Sequence, residues 1–266
     1  MSEYYTIPKI SNSLMKHALI SLEEFKYQWD TVTIPKEETA AMVFGNVCHT
    51  MLLEPQEFDS RYAVKRFDGR TKEGKEEKAY IESRGLKTVS QEDMEKAEGM
   101  ALALTDSMYV DPDLVAKIQW ILSLDDLENE KEMFWIDEAT GLECKGKLDA
   151  YSREHHLVFD YKTIEDLSDH GIGKNFANYR YDLAVAHYSE GIKRVFGDET
   201  FPTFIFCVQE KSEPYNFRLF TPDQEMLGKG LVKRAELLGK IKEAFDNNAF
   251  YSHRGVETIS MPSWLN

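Results

Sequence analysis

Apolar residues recur with two different periods along the chain, and the change of period separates a helical part from a strand-rich part. Helical spacing is found in five stretches, at 11–29, 35–55, 75–84, 90–107 and 112–124. Strand-like runs follow at 130–138, 143–152 and 156–163. The pattern ends with a helix from about 178 to 196, a strand at 203–210, an edge strand at 215–221 and a helix at about 222–246.

This order of elements predicts an α/β or α+β core with a mixed sheet. No repeat and no Pro/Gly/Ser-rich linker divides the chain, so we predict one domain over residues 1–266. It comprises a helical part over about 1–125, a sheet with helices over about 130–247, and a tail over 248–266. The tail is aromatic but aperiodic, which fits either a docked extension or an oligomer contact.

Several classes of protein are excluded by the composition. The first residues have no basic stretch followed by an apolar one, and no apolar run approaches the length of a membrane span, so we expect a cytoplasmic protein. The three cysteines, Cys48, Cys144 and Cys207, lie far apart and form no CxxC pair. This spacing argues against a zinc or iron–sulfur site and favours three buried thiols in a reducing compartment.

The formal net charge of −15 argues against a nucleic-acid partner, except where basic residues cluster. The stretch from Arg61 to Lys75 contains six basic residues and two acidic ones, Asp68 and Glu73, so its local net charge is +4. Its basic residues are Arg61, Lys65, Arg66, Arg70, Lys72 and Lys75. We interpret it as an anion-binding patch, with a solvated loop as the alternative.

Asp160 and Lys162 interrupt the apolar strand 157–163. If the hairpin turns symmetrically near 154–155, Asp160 faces Asp149 on the preceding strand, and Lys162 shares its face. Opposed carboxylates repel, and a divalent cation such as Mg²⁺ or Mn²⁺ would compensate. Lys162 would then orient or deprotonate the attacking water, or neutralise charge on a phosphate. The alternative is an Asp160–Lys162 ion pair on a solvated hairpin.

The segments "GKLDAY" and "DYK" resemble the core of the PD-(D/E)XK nucleases, with Asp149 and Asp160 in the acidic positions. "FGNVCHTMLLEP" is similar to a helix of the RecB-like branch, in particular of the RecE (exonuclease VIII) type of phage recombination exonuclease. "RTKEGK" and "ATGLECKGKLD" are similar to stretches of that type, in the expected order. The resemblance runs from about residue 11 to 195 and implies a restriction-endonuclease-like core, a mixed sheet flanked by helices.

The resemblance also implies an activity, the degradation of linear duplex DNA from the 5′ end to leave a 3′ single strand. It implies His49, Asp149, Asp160 and the main-chain carbonyl of Tyr161 as ligands of Mg²⁺, for which Mn²⁺ would substitute. Lys162 would be catalytic together with the two aspartates. Gly45, one turn before His49, would leave room for the metal or the strand.

The implied partners are double-stranded DNA ends and a single-strand-annealing recombinase, with no membrane. The implied assembly is a ring-shaped homo-oligomer around DNA, a tetramer rather than a trimer, in a phage or prophage protein of a bacterial host. A ring would reconcile the acidic total with a basic channel. The candidate DNA-binding residues are Arg70, Lys72, Lys75, Lys145, Lys147 and Tyr188. We expect Gly171–Phe176 to be a mobile loop at the border of the site, not a nucleotide-binding loop.

One position departs from the family. The RecB-like branch has a QxxxY element after the DxK strand, and here Tyr188 matches the tyrosine while Ala184 stands at the glutamine. Alanine cannot make the hydrogen bonds of glutamine. Either they are dispensable or the chain is a variant with slowed turnover. Two other functions stay open, a DNA-end-binding module with reduced catalysis and a related nuclease acting on single strands or internally.

Overall fold

The computed structural model of this chain describes residues 3–34, 38–65, 70–106, 108–198, 200–251, 256 and 258–261. The helices are α1 Asn12–His17, α2 Leu22–Asp30, α3 Ala40–Leu53, α4 Phe58–Arg61, α5 Lys72–Ser83, α6 Gln91–Thr105, α7 Pro112–Leu122, α8 Asp169–Tyr179, α9 Tyr181–Phe196 and α10 Gln224–Asp246. The strands are β1 Tyr62–Lys65, β2 Lys87–Ser90, β3 Leu127–Ile136, β4 Glu143–Ser152, β5 Leu157–Ile164, β6 Thr203–Glu210 and β7 Phe217–Phe220. Short 3₁₀ turns lie at Glu3–Thr6 and Pro55–Glu57.

The main sheet has five strands in the order β3-β4-β5-β6-β7. Its neighbours are antiparallel except β5 and β6, which run parallel and are connected through α8 and α9. The mixed sheet predicted from the sequence is therefore confirmed, and β7 is the edge strand that was expected. The two-stranded parallel sheet of β1 and β2 was not predicted, because both strands have only four residues and β1 lies within the basic stretch.

Two hydrophobic cores pack on the two faces of the main sheet. The first core contains residues of α1, α2, α9 and α10, and the second contains residues of α3, α6 and α7. Strand β5 alternates between them, since Val158 and Ile164 pack in the first core while Phe159 and Tyr161 pack in the second. The predicted alternation of β5, which puts Asp160 and Lys162 on the face of Val158, is thereby confirmed.

The N-terminal segment fills a gap that opens between β4 and β5. These two strands pair only over Ala150–Ser152 and Leu157–Phe159, and they separate beyond that point. There Ile10 forms a parallel bridge with Cys144 of β4, and its carbonyl accepts a hydrogen bond of 2.9 Å from the amide of Lys145. The start of the chain thus lies alongside the half of β4 that leads to Asp149.

One helix predicted from the sequence is divided in two, and another is preceded by a helix that was not predicted. The segment 11–29 breaks after His17 because the Ser21 side chain accepts a hydrogen bond from the amide of Glu24 and starts α2. The helix expected at about 178–196 corresponds to α9, and Arg180, whose φ of 53° lies in the left-handed region, separates it from α8.

Gly171–Phe176 lies inside α8, so the expected mobile loop is wrong. The start expected at Pro35 is also not observed, since α3 begins at Ala40 with Thr39 as N-cap, and Pro35 itself lies outside the described residues.

Cys48, Cys144 and Cys207 are free and buried, as the sequence indicated. Burial raises the pKa of Cys48 and Cys144 to about 12, so these thiols stay protonated at neutral pH. In the part of the chain that the structure describes, no helix combines the length and the apolar character needed to cross a bilayer.

Candidate active site

Three carboxylates lie in one row across three neighbouring strands of the main sheet. Ala150 pairs with Phe159, and continuing this register by one step sets Asp149 opposite Asp160. On the other side of β4, Asn129 pairs with Ala150 and Lys131 with Leu148, so Glu130 stands opposite Asp149. We refer to Glu130, Asp149 and Asp160 as the carboxylate row. The hairpin register predicted for Asp149 and Asp160 agrees with the observed pairs.

The Asp149 carboxylate is held by groups from two other elements. Its Oδ2 accepts a hydrogen bond from the Tyr161 amide at 3.0 Å and lies 3.2 Å from the Lys162 ammonium. The same oxygen is 3.6 Å from Nδ1 of His49 on α3. Burial acts to raise the pKa of Asp149, but the charge of Lys162 and these contacts hold it below its usual value. Asp149 is therefore ionised at neutral pH.

Asp160 is the most deeply buried carboxylate of the row, with an exposure of 5%. Its Oδ1 lies 2.7 Å from the Lys162 ammonium. Burial raises the pKa of Asp160 to about 7, and the nearby charge of Asp149 adds to this effect. Lys162 behaves in the opposite way, since burial alone would lower its pKa but the two carboxylates raise it well above the usual value. Lys162 thus remains a cation between the two aspartates.

His49 brings α3 to this point of the sheet. Its ring centroid is 5.2 Å from that of Tyr161, and a hydrogen bond joins its imidazole to the main chain of Tyr161. Burial lowers the pKa of His49, so its imidazole is neutral at pH 7 and can act as a ligand. A Cβ added to Gly45 would meet no atom within 4 Å, which agrees with the room expected one turn before His49.

The side chain of Tyr161 points away from the row and anchors β5. Its hydroxyl donates a hydrogen bond of 2.5 Å to Oε1 of Gln209 on β6. The Gln209 amide donates in turn to the carbonyls of Met100 and Tyr215, both at 2.9 Å. This fully buried network fixes the strand that carries Asp160 and Lys162.

Sequence reasoning missed Glu130, the third carboxylate of the row. Its φ of 53° is left-handed, a conformation that costs a non-glycine residue about 1–3 kcal/mol. Its carboxylate forms an ion pair with Lys147. The predicted turn did not identify it, because a hairpin centred on Thr140-Gly141 would set Glu132 opposite Asp149. The observed pairs, such as Ile136 with Glu143, centre the hairpin one residue earlier and set Glu130 there.

The alternation of side chains changes at the row. Leu148 and Tyr151 both pack in the first core although they are three residues apart on β4. On β3, Met133 packs in the first core and Leu127 against the second, although six residues separate them. The backbone irregularity at Glu130 is located between these residues and accounts for the change on β3.

The expected DNA-binding residues of β4 and α9 have different surroundings. Tyr188 packs on Gly146, where an added Cβ would lie 3.1 Å from its ring. Burial raises the pKa of Tyr188, and the charges of Asp160 and Asp149 act in the same direction. Lys147 is paired with Glu130. Lys145 is only 3% exposed and donates hydrogen bonds to main-chain carbonyls, so it cannot contact DNA in this structure, contrary to the prediction.

Arg70, Lys72 and Lys75 lie at or just before the start of α5, and all three are exposed. Arg70 and Lys75 are exposed, and the Lys72 side chain has an exposure of 85%. Thr71 caps the helix by accepting a hydrogen bond from the Gly74 amide at 2.9 Å. The cap satisfies one of the first free amides, so any phosphate contact here would come mainly from the side chains.

Ala184, which stands where the family has glutamine, is 7% exposed on α9, one turn before Tyr188. Its methyl group offers no hydrogen bond to the site. A group that the sequence did not indicate also approaches here. Lys16 of α1 donates to the Tyr179 carbonyl at 3.2 Å, and burial together with the nearby charge of Lys162 lowers its pKa.

The donor set fits a hard divalent cation. One potential ligand atom from each of His49, Glu130 and Asp149 lies within 4.8 Å of the others. Carboxylate oxygens, a carbonyl and a neutral imidazole suit Mg²⁺ or Mn²⁺. Of the residues predicted as ligands, His49 and Asp149 belong to this group and Glu130 joins them. Asp160 is linked to Asp149 through Lys162, and the main chain of Tyr161 contacts both His49 and Asp149.

Comparisons with known proteins identify the family and the fold. The model of a family described as "PDDEXK-like domain of unknown function (DUF3799)" matches residues 11–254. The fold is similar to that of a crystal structure from Eubacterium rectale named "Putative exonuclease", with a TM-score of 0.60 at 14% identity, covering 98% of this chain and 96% of that one. A structure named SSO0001 matches with a TM-score of 0.30 at 15% identity, over 74% of this chain and 85% of that one. No curated protein matches the sequence.

Proposed function

The chain belongs to the PDDEXK-like family DUF3799 and has the fold of the PD-(D/E)XK nuclease superfamily, and from this premise we propose its activity. It is a divalent-metal-dependent exonuclease that digests linear double-stranded DNA from the 5′ end. The product is a 3′ single-stranded overhang, suited to phage-type recombination by strand annealing. Mg²⁺ is the proposed cofactor, with Mn²⁺ as a substitute.

The carboxylate row with Lys162 is the observation that carries this proposal. Two aspartates contact one lysine, at 3.2 and 2.7 Å, where β4 and β5 separate, and the Asp149 and Lys162 side chains keep exposures of 18% and 27%. A row of carboxylates in a sheet is destabilising unless a cation compensates it. Asp149 and Asp160 with His49, Glu130 and the Tyr161 carbonyl would hold the metal. When bound, the metal would neutralise phosphate charge and lower the pKa of water.

The chain's own residues perform the remaining tasks. Because the pKa of Lys162 is raised, its ammonium is charged at neutral pH and stabilises negative charge that develops on the phosphate, in preference to removing a proton from water. Asp149 and Asp160 fix the position of this ammonium, and the Tyr161 amide fixes Asp149. The network of Tyr161 and Gln209 keeps β5 rigid beneath the reacting phosphate.

Digestion of 5′-labelled linear duplex beside a closed circle of the same sequence tests the activity. With Mg²⁺ we expect mononucleotides released from the 5′ end, an intact circle, and no digestion by Asp160→Asn. Cleavage of the circle would favour an internally acting nuclease, and preference for heat-denatured DNA would favour a single-strand enzyme.

A DNA-end-binding module with reduced catalysis is the second candidate, and Ala184 is the observation that favours it. If the missing glutamine limits turnover, Ala184→Gln increases the rate of digestion while DNA affinity stays unchanged. If neither the parent nor Ala184→Gln releases nucleotides with Mg²⁺ or Mn²⁺, yet both bind duplex ends in a shift assay, the chain is a binding module.

A ring-shaped tetramer around DNA and a single-strand-annealing partner belong to the same proposal. The net charge of −15 supports a ring, because an acidic exterior keeps DNA away except in a channel lined by basic residues. Light scattering should give four times the chain mass, and a monomer with no assembly on DNA would refute the ring. A phage origin and a cytoplasmic location stay predictions.

A further inference from the structure

The N-terminal 3₁₀ turn, Glu3–Thr6, is fastened to β4 by one buried ammonium. Lys145 donates hydrogen bonds to the carbonyl of Tyr4 at 2.6 Å and to that of Ile7 at 2.8 Å, and its Nζ also lies 3.4 Å from the Tyr5 carbonyl. Burial lowers the pKa of Lys145 to about 8. An ammonium this deep is costly unless each of its donors is satisfied, so the turn and the lysine stabilise each other.

Tyr4 and Tyr5, adjacent on this turn, have different surroundings. Tyr4 is 6% exposed, and its ring lies 4.6 Å from the Lys145 ammonium, so it packs as a core residue. The Tyr5 ring is 52% exposed and contacts the ring of Tyr4 edge-on, with centroids 5.3 Å apart. The turn is thus rigid on its inner side and presents one aromatic ring outward.

Tyr5 is located at the Glu130 end of the carboxylate row. The Lys147 ammonium lies 5.3 Å from the centroid of the Tyr5 ring and is also paired with Glu130. Burial raises the pKa of Tyr5, while the charge of Lys147 and a hydrogen bond from Lys147 to the hydroxyl act against it, and the charges of Glu130 and Asp149 add to the rise. An exposed tyrosine is common on protein surfaces, but this one is held beside the groups that would bind the scissile phosphate.

We propose that Tyr5 is a substrate-binding residue whose ring stacks on a nucleobase of the strand in the active site, next to the phosphate that is cut. The proposal deepens the nuclease function above and rests on it. Stacking on an aromatic ring accepts every base, because every base has a π-face, and this suits an enzyme that removes nucleotides regardless of sequence. Lys147 beside the ring would face the adjoining phosphate.

Kinetics of duplex digestion with three substitutions test the stacking. Tyr5→Phe keeps the ring, Tyr5→Leu keeps an apolar side chain without it, and Tyr27→Leu removes a tyrosine that is 64% exposed on α2. We expect Tyr5→Leu to raise KM by about tenfold or more with little change in kcat, since one stacked base is lost. Tyr27→Leu should match the parent, Tyr5→Phe should have a KM closer to the parent's than to that of Tyr5→Leu because the ring remains, and circular dichroism should be unchanged.

A readout other than activity separates stacking from a structural role. With Ca²⁺ in place of Mg²⁺, 2-aminopurine at the 5′ end of the duplex should be quenched by the parent and by Tyr5→Phe but not by Tyr5→Leu. If the parent digests DNA and Tyr5→Leu has the parent's KM and quenching, stacking is wrong and the nuclease function stands. If the parent does not digest DNA with Mg²⁺ or Mn²⁺, the nuclease function itself fails, and the stacking proposal with it.

Discussion

Two groups of buried charged residues in this protein differ in how their charges are paired. The arginine cluster, formed by Asp137, His187 and Arg234, is balanced. Arg234 pairs with Asp137 at 2.9 Å and donates through Nε to Nδ1 of His187 at 3.4 Å, while His187 bonds the Lys145 carbonyl at 3.0 Å. All three side chains are less than one tenth exposed. Both charges and both ring nitrogens of His187 have a partner within the protein, although Nη2 of Arg234 has no hydrogen-bond partner among the described residues.

The carboxylate row is not balanced in this way. Among the described residues, its three carboxylates contact two lysines, Lys147 and Lys162. One carboxylate, Asp160, has its pKa raised to about 7 chiefly by burial. We infer that the arginine cluster stabilises the fold, whereas the row has one carboxylate more than it has lysines, and a bound cation would favour the ionised form of Asp160. The two are connected through β4, because His187 binds the carbonyl of Lys145 and Lys145 fastens the N-terminal turn.

Asp160→Asn should give the largest effect. Removing this carboxylate eliminates a metal ligand and a partner of Lys162, and we expect the rate of duplex digestion with Mg²⁺ to fall by a factor on the order of 10² or more. The free energy of unfolding should stay the same or rise by about 1 kcal/mol, because a buried carboxylate beside Asp149 is removed. Digestion assays and urea denaturation measure the two quantities.

Asp137→Asn is the matched control for that substitution. It neutralises an aspartate of similar burial in the arginine cluster, so stability should fall while digestion at low temperature persists. If Asp160→Asn destabilises the protein as much as Asp137→Asn does, the row is a structural feature and the contrast between the two groups disappears.

Arg234→Met should have the largest effect on stability. It leaves the buried Asp137 without its cation, and loss of one partner of a buried pair costs about 3–5 kcal/mol. Urea denaturation gives the change in free energy of unfolding. The double variant with Asp137→Asn should recover part of the loss, because the uncompensated charge is removed as well. Additive losses in the double variant would mean that the two side chains do not interact energetically.

The arginine cluster should also make stability depend on pH through His187. Burial, reinforced by the charge of Arg234, lowers the pKa of His187 to about 3. Between this value and the ordinary pKa of about 6.5, the unfolded chain binds a proton that the folded chain does not. The free energy of unfolding should therefore rise with pH across this window, by up to about 1.4 kcal/mol per unit, and the contribution is complete above it.

His187→Gln keeps a hydrogen-bonding side chain at this position without a titrating group. Urea denaturation between pH 4 and 7 should show a smaller slope for this variant than for the parent. Equal slopes would mean that other groups produce the acid sensitivity, and the neutral imidazole would then have no measurable role in it.

The sequence predicted those parts of the fold that depend on local periodicity. Strands β4 and β6 have the expected bounds, and the register of the β4–β5 hairpin follows from its short turn. Two failures concern helix boundaries. The Ser21 side chain caps α2 and divides the helix predicted over 11–29. Helix α8 includes Gly171 and Gly173, residues of low helix propensity that had suggested a loop.

The candidate site could be predicted in part for similar reasons. Asp149, Asp160 and Lys162 lie on β4 and β5, and the short turn between these strands determines their register. Helix α3 brings His49 to them. Lys145 was misassigned because its partners are carbonyls of the N-terminal turn, far away in sequence. Tyr5 gave no signal at all, since only the fold carries the start of the chain to the row.

Relief of backbone strain at Glu130 should have the smallest effect on the free energy of unfolding. It tests whether the carboxylate row, unlike the arginine cluster, stores strain. Glu130→Gly and Glu130→Gln both remove the carboxylate and its ion pair with Lys147, but only glycine relieves the left-handed φ of 53°. After the entropic cost of glycine, we expect Glu130→Gly to be more stable than Glu130→Gln by roughly 0.5–1 kcal/mol. Urea denaturation resolves the difference, and isothermal titration with Mn²⁺ should show weakened binding in both variants.

Glu132, two residues along β3 and within the regular ladder, is the control position. There the glutamine variant should be more stable than the glycine variant, because glycine weakens an ordinary strand. If the glutamine variant is the more stable one at both positions, the backbone at Glu130 stores no strain.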